Sequence, residues 1–153
     1  MTETMTTSSN HVAFFLPVNP IPASRPRVSK WGTYYGKRYS TWRKDAARAL
    51  AKLTGPDTYE CPLRVTLVHV VKSPKVTKRQ YPVGDVDNYD KAVMDAITSH
   101  TTLWNDDDQV IALHSSKLFA APDDTPGCYI QIEPLQTKTL KDKVKKFFNH
   151  IWQ

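Results

Sequence analysis

The segment Gly84-Asp85-Val86-Asp87-Asn88-Tyr89-Asp90-Lys91-Ala92-Val93-Met94-Asp95-Ala96-Ile97 decides how this chain is organised. From Asn88 to Ser99 the apolar residues Tyr89, Ala92, Val93, Ala96 and Ile97 recur at helical spacing, which predicts an amphipathic helix with one face in a core. Before it, Leu63 to Val71 is rich in β-branched residues and predicts a well-buried strand; after it, Gln109 to Leu118 also reads as a strand. Farther out, His11 to Val18 is β-prone and ends at Pro20 and Pro22. Ser40 to Leu53 carries Ala46, Ala49, Leu50 and Leu53 at helical spacing, with Ser40 or Thr41 as a cap and Gly55-Pro56 as a stop. Gly127 to Glu133 alternates, with Cys128, Ile130 and Ile132 on one face, as a half-buried strand does. Pro20 to Tyr39 and Ser73 to Val83 read as long basic loops.

The order β-α-β-α-β-β-(α) predicts one α/β (α+β) domain in which a mixed sheet packs with helices. Its expected extent is 11–135, after a flexible N-terminus at 1–10 and before a basic amphipathic tail at 136–153. Within that tail Lys141 to Trp152 predicts a helix, whose stripe of Val144, Phe147, Phe148 and Ile151 is expected to dock on the domain or a partner subunit.

Composition closes off whole classes. At 153 residues the chain suits one domain with a real core, and 40% hydrophobic with 24% charged residues excludes global disorder. No apolar run approaches the roughly 20 residues of a membrane span, so no membrane partner is expected. Residues 1–10 are polar and lack the pattern of a secretory leader. Cys61 and Cys128 stand far apart, which excludes a disulfide scaffold or a four-cysteine zinc site and favours a reducing, cytoplasmic setting. There is no Walker-type glycine loop, hence no expected nucleotide cofactor, and no HExxH among the five histidines.

The net charge of +6 is distributed unevenly. Ser24 to Arg48 is +7, its cations including Arg25, Arg27, Lys30, Lys37 and Arg38. Lys72, Lys75, Lys78 and Arg79 follow without an intervening acid. Asp85 to Asp108 inverts the balance to −6, and Thr137 to Gln153 returns to +4. Basic flanks neutralise a phosphate backbone, and an acidic centre holds divalent cations, so this pattern suits a metal-dependent enzyme acting on nucleic acid. The aromatics Trp31, Tyr34, Tyr35 and Tyr39, interleaved with Lys37 and Arg38, suit either base stacking or packing beneath a loop.

If Asp85 to Asp87 is extended, its two carboxylates share a face about 7 Å apart and repel unless a cation lies between them. A third acidic group stands at Asp106-Asp107-Asp108, at the mouth of the next strand. Hard oxygen donors of this kind suit Mg²⁺ or Mn²⁺, and Lys91, one turn into the helix, can project toward them. The same residues also fit a plain helix cap at Asp87 and a solvated turn at 106–108. A calcium EF-hand is excluded by Asp90 and Ala96 where that loop needs Gly and Glu.

The segment 84–97, followed by Trp104-Asn105-Asp106-Asp107-Asp108-Gln109-Val110, resembles the RusA family of Holliday junction resolvases, whose signature is Asp-x-Asp-Asn-x-x-Lys-Ala-x-x-Asp-Ala and then Asp-Asp-x-Gln. Pro20-Ile21-Pro22-Ala23-Ser24-Arg25-Pro26-Arg27 is similar to the proline-arginine stretch of that family, and the likeness spans about residues 11–134. The resemblance implies a homodimeric, Mg²⁺-dependent endonuclease cutting four-way DNA junctions symmetrically. It assigns Asp85, Asp87 and Asp107 as metal ligands and Lys91 as the catalytic lysine, with Asp106 the one-residue alternative to Asp107. Arg25, Arg27, Lys30, Lys37, Arg38, Lys75, Lys78 and Arg79 are then the expected DNA contacts. Nucleases for flap or other branched DNA, and a non-catalytic basic DNA-binding module, are the competing readings.

Overall fold

A nine-residue strand that sets Leu63, Val65 and Leu67 against Arg64, Thr66 and Val68 can bury one face while its backbone pairs on both edges. The computed structural model, which describes residues 6–8, 11–53 and 57–149, uses β5 (Leu63–Val71) in this way. It lies antiparallel to β7 (Gly127–Pro134) and parallel to β6 (Val110–Phe119). A parallel neighbour requires a crossover, and α2 (Val86–His100) supplies it. β7 pairs on its other edge with β2 (His11–Leu16), and β1 (Thr6–Ser8) adds outside β2, giving the sheet order β1-β2-β7-β5-β6. The fold is therefore a single α+β domain with a mixed sheet.

One sheet face is covered by α1 (Lys37–Leu50) and α2. Val12, Phe14, Leu16, Leu63, Val65, Leu67, Ile130 and Ile132 from the sheet meet Trp42, Ala46 and Leu50 of α1 and Ala92, Val93, Ala96 and Ile97 of α2. Each large apolar side chain buried there contributes about 1.5–3 kcal/mol. The other face, with Phe15, Thr66, Val68 and Tyr129, stays partly open, and the Phe15 and Tyr129 rings sit 4.7 Å apart on it. Among the described residues no helix is long and apolar enough to cross a membrane.

Gly127, at the start of β7, is where β2 comes too close for a side chain. A Cβ there would lie 2.3 Å from Cζ of Phe15 and 2.5 Å from the Leu16 carbonyl oxygen. The carbonyl cannot rotate away as a side chain would, so Gly127→Ala should lower stability by about 1–3 kcal/mol, the usual cost of overpacking. A thermal melt reads this directly, and an unchanged midpoint would show that β2 yields.

Several boundaries differ from the sequence reading. The stretch 20–39 is not all loop: β3 (Arg27–Ser29) and β4 (Gly32–Tyr34) form a small separate hairpin. Its pattern is invisible because both faces are exposed, so no alternation marks it. α1 starts at Lys37, not near Ser40, because Tyr39 and Trp42 add a turn to its buried face. α2 starts at Val86, with Asp85 as its N-cap, so Asp87 is a first-turn residue and not the cap. Part of the supposed flexible N-terminus, Thr6–Ser8, is an edge strand; the rest of that stretch lies outside the described residues.

The C-terminal helix α3 runs from Thr137 to Phe147 and buries none of its residues. Phe147 is 76% exposed, so the expected docking of its stripe on the same domain is not met among the described residues. Ile151 and Trp152 lie outside them.

Candidate active site

The loop leading into α2 is held from three directions. Gly84 takes a positive φ of 101°, and a Cβ there would lie 3.1 Å from Pro22 Cγ and 3.3 Å from Tyr89 Cε2. The Tyr89 hydroxyl donates to the Val83 carbonyl at 2.6 Å, and the Asn88 carbonyl accepts from the Ala23 amide at 2.9 Å. Lys117 reaches across from β6: its ammonium donates to the Pro82 carbonyl at 2.8 Å and to the Gly84 carbonyl. Burial pushes the Tyr89 phenol up while the Arg38 charge pulls it down, which places Arg38 beside this loop.

This framework presents Asp85 and Asp87 at the exposed N-terminus of α2. Asp85 is extended and Asp87 helical, so the pair departs from a uniform extended run. The positive end of the helix favours both carboxylates. Asp85 occupies the N-cap position, yet its side chain makes no capping hydrogen bond, which leaves the carboxylate available to an outside partner.

The Asp-Asp-x-Gln stretch divides into two jobs. Asp106 caps a single 3-10 turn, Asp107–Gln109, accepting from the Asp108 amide at 3.2 Å. Gln109 completes a capping box, accepting from the Asn105 amide at 2.7 Å and the Asp106 amide at 3.2 Å. The Gln109 amide nitrogen also donates to the carbonyls of Tyr59 and Cys61, tying the turn to the segment before β5. Asp107 is left half-buried, facing α2. Its carboxyl is pushed up, first by burial, then by the neighbouring Asp106 and by Asp95, while Lys91 pulls it down. Asp106 is held low, chiefly by the Asp108 amide.

Asp107 therefore shares its surroundings with Lys91 and Asp95, which pair with each other at 3.1 Å. Asp87, Lys91 and Asp95 form a stripe at four-residue intervals along α2, roughly 6 Å per step. Asp85 and Asp87 stand at the head of this stripe, and the lysine points to its far end. Among the described residues, no three carboxylate, imidazole or thiolate groups of one chain converge into a cation site. The expected convergence of Asp85, Asp87 and Asp107 is thus not formed within the single chain.

Two basic clusters far apart in sequence meet next to the loop. Arg38 from α1, with Lys72 and Arg79 from the segment after β5, lines a groove of about 280 Å³ whose other walls include Pro82, Val83 and Tyr89. Arg79 also lies 4.9 Å from the Tyr81 ring, which Lys117 approaches at 5.6 Å. Lys37, Lys75 and Lys78 are exposed around the same region of sequence, while Arg25, Arg27 and Lys30 belong to the hairpin side.

Beneath the first turns of α2 lies a polar cluster absent from the sequence reading. His69 of β5 is fully buried, and its Nε2 donates to Asp90 Oδ1 at 2.7 Å. The Ser115 hydroxyl donates to the same carboxylate oxygen. The acid sits between the serine and the histidine, whereas nucleophile activation needs the histidine next to the serine, so this cluster is no hydrolytic triad. Its periodicity signal was misleading: Asp90 falls on the face that otherwise carries apolar residues.

A family model described as Endodeoxyribonuclease RusA matches residues 17–133, most of the chain and both Asp-rich motifs. The chain belongs to the RusA family. Among curated proteins none matches it. RusA proteins are endodeoxyribonucleases, so the carboxylates at the head of α2 and the basic groove beside them belong to a DNA-cleaving fold. The match ends at β7, leaving α3 outside the family domain.

Proposed function

We propose that the protein resolves four-way DNA junctions by Mg²⁺-dependent hydrolysis, two symmetric cuts being made by a homodimer. The observation that carries this reading is the adjacency of the Arg38–Lys72–Arg79 groove to the clamped loop bearing Asp85. Phosphates held along that groove would lie beside the loop that carries Asp85, since Pro82 and Val83 form part of its wall.

The donor set fits Mg²⁺, which takes oxygen ligands and commonly binds through one or two carboxylates with water and phosphate completing its shell. Asp85, Asp87 and Asp107 are the residues that would hold it. Since the three do not converge among the described residues of one chain, water, the scissile phosphate or a second subunit would supply the further oxygen donors. When bound, the ion supplies an acidified water and offsets charge developing on the phosphodiester. Lys91 adds a cation at the same place once it exchanges Asp95 for phosphate. Lys117 keeps the loop carbonyls, and with them Asp85, in position. A junction offers two equivalent strands, and a two-fold dimer offers two equivalent sites.

Incubating a synthetic four-way junction with the protein, with and without Mg²⁺, tests this. Paired nicks at symmetric positions, only with metal, are expected. Equal cutting of flaps and junctions supports the broader branched-DNA nuclease, and no cutting under any metal supports a binding module.

Binding itself should be steeply salt-dependent. If Arg25, Arg27, Lys30, Lys37, Arg38, Lys75, Lys78 and Arg79 contact phosphates, affinity in the absence of metal should fall on the order of 10³-fold or more between about 50 and 200 mM salt. A gel-shift titration series measures the slope, and a flat response removes these residues from the interface.

A further inference from the structure

The hairpin β3–β4 stands apart from the main sheet and ends in the two-residue turn Lys30-Trp31. Trp31 is 87% exposed and Val28 83%, with Tyr34 also largely in solvent. The turn is shaped by Ser29, whose hydroxyl accepts from the Trp31 amide and donates to the Gly32 carbonyl, both at 3.2 Å. The base of the hairpin is braced on α1, where the Arg43 guanidinium lies 4.6 Å from the Tyr35 ring and Tyr35 packs edge-on to Tyr39 at 5.2 Å. An indole held out on a braced arm exposes a large apolar surface that none of the described residues covers.

The charge around it selects the partner. From His11 to Lys44 the sequence contains no acidic residue, while Arg25, Arg27, Lys30, Lys37 and Arg38 surround the hairpin in sequence. The Lys30 ammonium lies 5.1 Å from the Trp31 ring centroid. Alternation of cations with an exposed aromatic face matches alternation of phosphates with base faces. In an intact duplex those faces are covered by their neighbours; at a branch point some are not.

We infer that Trp31 is a stacking wedge that inserts against unstacked bases at the centre of a branched DNA. This deepens, and rests on, the junction-nuclease reading. Lys30 and the hairpin arginines then hold the strands on either side of the inserted ring. The wedge gives the protein a way to distinguish a branch from plain duplex without reading base edges.

The test uses the full-length protein in EDTA, so that nothing is cut, with a four-way junction carrying 2-aminopurine at the branch point. Wild type should bind the junction more tightly than a linear duplex of the same sequence and change the probe's fluorescence. Trp31→Ala should lose that change and bind the junction about 5- to 150-fold more weakly, the equivalent of one aromatic–base stack, with little change for the duplex. Trp31→Phe should retain most of both. Unaltered junction affinity and fluorescence in Trp31→Ala overturn the wedge, as does an equal loss on duplex and junction. A shift to a smaller species in sedimentation would make the hairpin a subunit contact and also overturn it. If wild type shows no preference for the junction, the underlying reading fails first, and the two failures are thereby separated.

Discussion

Asp85→Asn and Asp87→Asn should each abolish junction cleavage while leaving junction binding intact or tighter. Neither carboxylate is committed to an ion pair among the described residues, and Asp85 makes no capping bond. Asn keeps the size and the helix-start preference of Asp, so the fold should be indifferent to the exchange. What is lost is a hard anionic ligand, and with it several kcal/mol of charge stabilisation, a rate loss on the order of 10³-fold. Removing negative charge from a surface that faces phosphates favours binding or leaves it unchanged. Asp107→Asn should be equally inactive, because Asp107 faces Lys91 and Asp95 and its side chain takes no part in the capping box. Asp106→Asn is the control for register. Asn caps a helical turn nearly as well as Asp, so this variant should keep most of its activity. Lys91→Ala should stop cutting without improving binding, since a cation is removed near the phosphate. Initial rates on a labelled junction, beside gel-shift affinities in EDTA, separate these outcomes. Full activity in Asp107→Asn with a dead Asp106→Asn moves the site by one residue, and activity in all the carboxylate variants removes the metal-site assignment.

Much of this site was legible because its residues recur in a long, correctly spaced signature, but the signature does not state which residues act and which support. The geometry supplies that division. Within Asp106-Asp107-Asp108-Gln109, the first Asp and the Gln build a capping box and a tether to Tyr59 and Cys61, so half of the motif is structural. The two core helices and β7 followed from periodicity, and β2 and β5 from their β-prone, apolar content; Tyr89, Ala92, Val93, Ala96 and Ile97 all lie buried where their spacing put them. The hairpin leaves no sequence pattern because neither face is buried, and the start of α1 leaves none because its first buried residues are aromatics in a basic, proline-led stretch. Lys117 could not be read at all: a lysine in a strand reads as a solvated position, and only the fold shows it gripping the Pro82 and Gly84 carbonyls. Nor does any spacing reveal that Lys91 pairs toward Asp95, away from the helix head.

The buried pair beneath that helix should be costly to break on one side and cheap to remove on both. His69 is fully enclosed and Asp90 nearly so, and the Asp90 carboxylate is satisfied by the His69 ring and the Ser115 hydroxyl. His69→Leu withdraws one of the two donors and leaves an anion in an apolar setting. That should cost about 3–5 kcal/mol, the usual cost of leaving a buried carboxylate without its partner. Asp90→Leu leaves Nε2 of His69 and the Ser115 hydroxyl without their acceptor, so about 2–4 kcal/mol is expected. The double variant leaves no anion and adds apolar volume on both sides. It should be more stable than His69→Leu alone, giving a coupling energy that a double-mutant cycle isolates. Urea unfolding of the four proteins measures each value. Strict additivity would show that the two side chains do not depend on each other. Burying these polar groups together costs desolvation that their mutual hydrogen bonds only partly return. A buried polar network kept despite that cost needs a counterpart in geometry. Here the counterpart is position: Asp90 lies one turn below Asp85 and Asp87, and His69 and Ser115 pin it to adjacent strands of the sheet. An apolar contact would hold α2 against the sheet but allow it to slide, whereas two directed hydrogen bonds to one carboxylate oxygen fix its rotation and height. The double variant should therefore regain stability without regaining the wild-type cleavage rate, which the same junction assay reads.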